Sequence, residues 1–171
     1  PDYVVIGLDY FTGVTASYKP PANHIPDYML RRYNSAHMVP VVMTAISYKF
    51  NRFNPPLNMN APRDESMIAD MIFYGKAYYF VNKIMPFKND SLVIGYTGED
   101  LVNVHRHQEI IYGHFVENKL FFEKKEMVKN KYVGEAPRVV NIANECPGRI
   151  GRWLGWQIVK HYMYEHDEVT L

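Results

Sequence analysis

Apolar positions recur at helical spacing through most of this chain, and the last such stretch is the most regular. From about Arg149 to Tyr164, Ile150, Trp153, Leu154, Gln157, Ile158, His161 and Tyr162 stand at i, i+3, i+4, i+7, i+8, i+11 and i+12. That stripe is apolar except at Gln157 and His161, which predicts an amphipathic helix. Gly151 and Gly155 lie one turn apart within it. Each glycine costs a helix about 1 kcal/mol relative to alanine, so the pair predicts that a neighbouring backbone approaches closely. A second run extends from Met67 to Met85, capped by Asp64 or Ser66 and ended by Pro86. Met67, Ile68, Met71, Ile72, Gly75, Tyr78 and Tyr79 form one face, while Phe73, Tyr74, Ala77, Phe80 and Val81 cover much of the remainder. A helix apolar on most sides is a central one, enclosed by others.

The rest of the pattern supplies shorter elements. Tyr3 to Leu8 is β-branched and apolar and reads as a short strand. Gly13 to Pro26 is a loop, followed by a short helix over Asp27 to Arg32 and another over Ser35 to Phe50 with Ser35 as N-cap. Pro40 falls beyond the first turn of that helix, which predicts a later start or a bend. Asn51 to Arg63, rich in Asn and Pro, is a long surface loop. Thr97 with Asp100 forms an approximate capping box for a helix running toward Leu120. Lys124 to Tyr132 reads as a charged, exposed helix closed by Gly134, and a loop through Pro137 and Cys146-Pro147 leads to the final helix. The expected fold is mainly α with a small N-terminal β element, in a single domain over residues 1–171. Trp153, Leu154, Ile158, Met71, Ile72 and Tyr78 are the expected core.

Composition narrows the function classes. Apolar residues make up 47% of the chain, so it folds rather than remaining disordered. Nineteen basic residues against eighteen acidic ones give a formal charge of +1, which provides no general attraction to nucleic acid or anionic lipid. One cysteine, Cys146, excludes an internal disulfide framework. A nucleophilic role for it would need a depressed pKa, and a structural role is the reading preferred here. No run reaches the roughly 18 apolar residues of a spanning helix.

Titratable residues are densest at His105, His107, Glu109, His114 and Glu117. On a helix His105 and Glu109 share one face, His107 and His114 another, and His114 meets Glu117 one turn on. Imidazole and carboxylate are usual zinc ligands, but these pairs point apart and none reproduces HExxH. A solvated helix face is the preferred reading. The chain holds no G-x-S-x-G, no Gly-rich phosphate loop and no paired-Cys metal motif. Asp70, Lys76 and Asn82 interrupt the central helix and need partners if buried. Arg149 and Arg152 open the last helix, where the macrodipole does not favour cations, so they call for an anionic partner, most simply an internal carboxylate.

The string PGRIGRWLGWQIVKHYM (Pro147 to Met163) resembles the C-terminal signature of the gliding-motility lipoprotein GldB family. Other segments are similar in the same order: VVIGLDYFTG from Val4, IPDYMLRRY from Ile25, MIADMIFYGKAYYFVNKIMP from Met67, SLVIGYTGEDL from Ser91 and EIIYGHFVENKLFF from Glu109. The family resembles, more distantly, predicted zincin-like metallopeptidases. The resemblance therefore implies a zincin-like helical domain, preceded by an N-terminal portion and a lipoprotein leader, with the lipid-bearing cysteine outside this sequence. A zincin needs His-Glu-x-x-His, with the Glu as general base. Here the string is His37-Met38-Val39-Pro40-Val41, with Glu65 or Asp70 standing for a third ligand. The expectation is thus a zincin-like shell without metal, cofactor or catalytic residues; His37, Glu65, His105, His107, Glu109 and His114 are weak metal candidates. Arg149, Trp153, Gly155, Trp156 and Gln157 are the signature positions, structural or interacting. The implied function is that of a non-enzymatic lipoprotein anchored to the outer membrane, binding other envelope proteins in gliding motility or the associated secretion. The alternative is a zinc-dependent metallopeptidase or a peptide-binding relative of one. Nucleic acid is not an expected partner, and the membrane is contacted only through the anchor.

Overall fold

Two largely apolar helices cross at the centre of the molecule, and the shorter elements are laid around them. The computed structural model describes residues 5–17, 21, 24–51, 64–166 and 168–169. Eight α-helices follow in order among these: α1 (Asp27–Leu30), α2 (Ser35–Asn51), α3 (Met67–Ile84), α4 (Asp90–Ile94), α5 (Gly98–Arg106), α6 (Gln108–Glu117), α7 (Glu126–Tyr132) and α8 (Ile150–Glu165). Short 3-10 turns cover Leu8–Phe11 and Leu120–Phe122. The mainly helical expectation holds. The predicted loop over Asn51 to Arg63 lies almost wholly outside the described residues.

The α3–α8 contact is the most extensive between any two of these helices. Met67, Met71, Gly75, Tyr78 and Val81 bury one side of α3, as the i, i+4, i+8, i+11 and i+14 spacing requires. Ser66 caps the helix by accepting from the Ala69 amide at 3.4 Å, and Asp64 accepts from the Ser66 amide at 2.9 Å. On α8, Ile150, Gly151, Trp153, Leu154, Gly155, Trp156 and Val159 are buried. His161 and Tyr162 are exposed and Gln157 and Ile158 half-buried, so the buried face is turned from the predicted stripe toward the glycines. The reason is steric. A Cβ on Gly155 would fall on the Met71 carbonyl oxygen, and one on Gly75 would lie 2.5 Å from the Gly155 carbonyl oxygen. The backbones touch there, and Trp156 and Val159 are drawn in with them. Ile72, expected in the core, is only half-buried, because α3 turns Met71 and Gly75 to α8 instead.

Two of the polar residues that interrupt α3, Asp70 and Asn82, are paired. Lys129 of α7 donates to Asp70 at 2.7 Å and to the Glu65 carbonyl at 3.1 Å. Asn82 donates to Asp90 at 3.0 Å, and Lys160 of α8 donates to the other Asp90 oxygen at 2.6 Å. Asp90 therefore ties α3, α4 and α8 together.

Four details differ from the sequence pattern. The N-terminal strand is not formed: Leu8–Phe11 is a 3-10 turn, Val5 and Leu8 are exposed, and residues 1–4 lie outside the described residues. A strand needs a pairing partner, and the only β pairing among the described residues is the isolated bridge between Arg138 and Pro147. Asn34, not Ser35, caps α2, its Oδ1 accepting from the Ala36 and His37 amides at 3.0 and 3.3 Å. The helix then runs through the buried Pro40 from Ser35 onward. The expected helix from Thr97 to Leu120 is two helices. Thr97 does cap α5, accepting from the Asp100 amide at 3.0 Å. At the other end the His107 imidazole donates to the Asn103 carbonyl at 2.9 Å and its backbone leaves helical geometry. Finally, Asp90–Ile94, to which the sequence pattern assigned no element, is a helix capped by Asn89.

Candidate functional site

The site is assembled where the chain enters α8. Arg149 precedes the helix in the left-handed conformation, with φ +61°. Gly148 before it lies so close to the loop at Ala136 that a Cβ would fall on the Ala136 carbonyl oxygen. Val139 donates to Cys146 at 2.9 Å, Gly148 to Pro137 at 3.3 Å, and the Tyr96 hydroxyl to the Gly148 carbonyl at 2.8 Å. These contacts pin the loop after α7 against the start of α8 and place Glu135 beside Arg149 and Arg152.

Three guanidinium groups then surround one carboxylate. Arg32, in the turn after α1, donates to both Glu135 oxygens at 3.3 and 2.8 Å. Arg149 Nε stands 3.7 Å from Glu135 Oε2, and an Arg152 nitrogen 3.6 Å from Oε1. Arg152 is further held by its Nε donating to the Val133 carbonyl at 2.6 Å, and its guanidinium lies 4.0 Å from the centre of the Tyr74 ring. Nearby, Arg138 is balanced by Asp100 at 2.6 Å. The internal carboxylate that Arg149 and Arg152 called for is therefore Glu135, shared with a third arginine the sequence did not single out.

The cluster lines two adjoining clefts. One, of about 360 Å³, is the more polar of the two, with Tyr28, Arg31, Thr97, Asp100 and Arg138 in its walls. The other, of about 180 Å³, is walled largely by Val41, Ala45, Tyr48, Tyr78 and Leu92. Arg32, His37, Gly95 and Arg149 border both.

Burial pushes the Glu135 carboxyl up, but the Arg32 hydrogen bonds and the charges of Arg149, Arg32 and Arg152 outweigh it and hold the group below its ordinary value. Burial, with the charge of Arg32, holds the His37 imidazole below its own. A carboxylate with a depressed folded pKa stabilises the fold at pH values above its unfolded pKa, and that contribution disappears as pH falls through the folded value. Glu135→Gln is therefore expected to lower the urea midpoint at pH 7, with the gap from the parent protein closing as pH falls below the ordinary glutamate value of 4.5. A gap that stayed constant down to pH 3 would mean the arginines do not act on Glu135 through charge.

The metal candidates are scattered. His37 lies on α2 with its Nδ1 3.0 Å from Asn34 Oδ1. Glu65 is exposed before α3; His105, His107 and Glu109 are exposed at the α5–α6 junction. His114 Nε2 is 3.0 Å from the Tyr132 hydroxyl, and the His105 ring packs edge-on to Trp153 at 5.4 Å. Among the described residues no three His, Cys, Asp or Glu side chains converge on a point that could hold a metal ion. Cys146 is buried, and burial raises its thiol pKa to about 12, the opposite of an activated nucleophile. Of the signature positions, Arg149 belongs to the arginine cluster, Trp153, Gly155 and Trp156 pack the core, and Gln157 is half-buried.

The family sequence pattern described as gliding motility protein GldB matches residues 1–171. The chain belongs to the GldB family. Its role is accordingly in gliding motility, and the family is by name one of lipoproteins. No curated protein and no solved structure matches the chain, so the zincin-like likeness implied by the sequence finds no support in a known fold. No described helix of this GldB family member is long and apolar enough to cross a membrane. Sequence reasoning missed Arg32 and Glu135. Their contact joins positions 103 residues apart, and only the unexplained cations at the start of α8 hinted at it.

Proposed function

We propose that this protein serves gliding motility as a non-enzymatic binding component of the cell envelope, held at the outer membrane by a lipid on an upstream segment. The observation that carries this reading is the arginine cluster. Three guanidinium groups converge on one carboxylate at the mouth of two clefts, an arrangement suited to grasping an anionic, partly apolar partner surface. Arginine and tyrosine, which recur in both walls, are among the side chains most enriched at the energetic centres of protein interfaces. The Thr97 hydroxyl donates to Asp100 at 2.8 Å in the larger cleft, but the same oxygen caps α5 and the carboxylate is held by Arg138 at 2.6 Å, which suits a structural pair better than a nucleophile and its base.

The test is a photo-crosslinking residue placed at Tyr28 or Arg31 of the full-length protein in the intact envelope of gliding cells. Discrete protein adducts, absent when the probe sits at exposed Glu99 on the α5 surface, are the expected result. The same protein, purified without chelator or His-tag, goes to elemental analysis and a peptide-cleavage assay. Zinc near one equivalent together with cleavage would overturn the non-enzymatic reading in favour of a metallopeptidase.

A further inference from the structure

Arg149 has its guanidinium 5.7 Å from the centre of the Tyr96 ring, bordering both clefts without a hydrogen bond to any described residue. Its side chain is 8% exposed, yet among the described residues its guanidinium donates to nothing, and the nearest carboxylate oxygen is 3.7 Å away. A buried guanidinium with five N–H donors ordinarily finds acceptors. Glu135 does not supply them, because Arg32 holds its carboxylate in a bidentate pair whose nearer oxygen stands 3.7 Å from Arg149 Nε, beyond hydrogen-bond reach. Three positive charges against one negative leave the cluster short of an anion. The positive end of the 16-residue α8 dipole lies at the same place. Arg149 also borders both clefts, so an acceptor reaching it would have the polar cleft on one side and the apolar slot on the other.

We propose that this junction binds the free C-terminal carboxylate of a polypeptide, with the carboxylate accepting from Arg149 and Arg152 and an apolar last side chain entering the slot between α2 and α4. The chemistry follows from the two walls. A carboxylate fits the forked donors of arginine in plane and brings the missing negative charge. The slot, about 180 Å³ and walled by Val41, Ala45, Tyr48, Tyr78 and Leu92, is of a size for one leucine or phenylalanine side chain. A lone inorganic anion would satisfy the arginines but leave the slot empty. The same pairing of carboxylate and apolar group exists in a fatty acid, which the experiment separates. This inference rests on the protein-binding reading above.

Calorimetric titration of the full-length protein compares four probes: an acetylated pentapeptide ending in leucine as the free acid, the same peptide as its C-terminal amide, dodecanoate and inorganic phosphate. The free acid is expected to bind at least about tenfold more tightly than the amide, since the amide removes the charge that the guanidinium groups contact. Arg149→Gln is expected to erase the difference between acid and amide. Because that residue is buried, Ala45→Trp, which fills the slot from the exposed side of α2, serves as a second variant and is expected to weaken the free acid about tenfold or more while leaving the fold intact. Equal binding of acid and amide overturns the proposal, as does dodecanoate or phosphate binding where the peptide acid does not. If the peptide acid fails while envelope crosslinks persist, the carboxylate assignment falls and protein binding stands. If both fail, both readings fall.

Discussion

Gly155→Ala is expected to destabilise the protein by about 3 kcal/mol, at or above the upper end of what overpacking a core ordinarily costs. The added methyl would fall on the Met71 carbonyl oxygen, with Met71 Cβ at 2.9 Å, so the obstacle is backbone rather than a side chain that can swing away. That oxygen belongs to the hydrogen-bond ladder of α3, and neither helix can bend locally without loosening its own ladder. The relief available is to part α3 from α8. Parting them separates Gly75 from Gly155 and opens the contact between Tyr78 and Trp156, whose ring centres are 5.6 Å apart. Gly113 in α6 is the matched control, since a Cβ there meets nothing within 4 Å. Gly113→Ala should stabilise by about 0.5–1 kcal/mol through helix propensity alone. Urea unfolding of the two variants therefore shifts in opposite directions. If both shift the same way, the close crossing of α3 and α8 is not what requires glycine at 155.

How much of this was legible in the sequence follows from the range of the interactions. Local ones were plain: the Thr97 cap, a cap for α3 at Asp64 or Ser66, and much of the buried stripe of α3 are fixed within a few residues of one another, and the Gly151–Gly155 spacing announced a close approach without naming its partner on α3. The boundary errors were local competitions that spacing does not weigh. Asn34 out-competed Ser35 because its side chain reaches two amides at once, and His107 ended α5 by bonding the Asn103 carbonyl although the apolar pattern runs on. The predicted N-terminal strand had suitable side chains, but β-structure is a property of pairs and no described segment pairs with it. The arginine cluster was half legible. Two cations at the positive end of a helix are an electrostatic anomaly that a single sequence displays, whereas the identity of their neighbours depends on how α1 and the loop after α7 dock.

The site and the core are also physically one object. Arg149 lies four residues before Trp153 and Arg152 four before Trp156, so the helix that seats the tryptophans against α3 sets the positions of the guanidinium groups. Arg152 leans on Tyr74 of α3 and on the Val133 carbonyl, and Lys160, further along α8, sits 3.9 Å from the Trp156 ring while pairing with Asp90. A rotation of α8 would thus disturb the clefts before it exposed the core.

Trp153→Ala is expected to cost about 3–5 kcal/mol, the range for emptying a fully buried large aromatic site. Trp153 has no exposed surface, and it is walled in by residues of a continuous core that includes Ile150, Met67 and Phe115. Domains of ordinary size hold only about 5–15 kcal/mol in total, so this variant would be near the limit of folding. Trp153→Phe isolates a different term. The Trp153 Nε1 is buried and has no acceptor among the described residues. An unsatisfied buried donor of that kind costs about 1–3 kcal/mol, which phenylalanine would remove while keeping an aromatic ring in place. The loss of ring volume opposes that gain, so Trp153→Phe should lie far closer to the parent protein than to Trp153→Ala, within about 1 kcal/mol of it. Thermal and urea unfolding of the three proteins at pH 7 decide the matter. If Phe proves nearly as damaging as Ala, the indole N–H has a partner in the folded protein and the packing term alone does not explain the position; if Ala proves mild, α8 is not the central helix that its periodicity and burial make it.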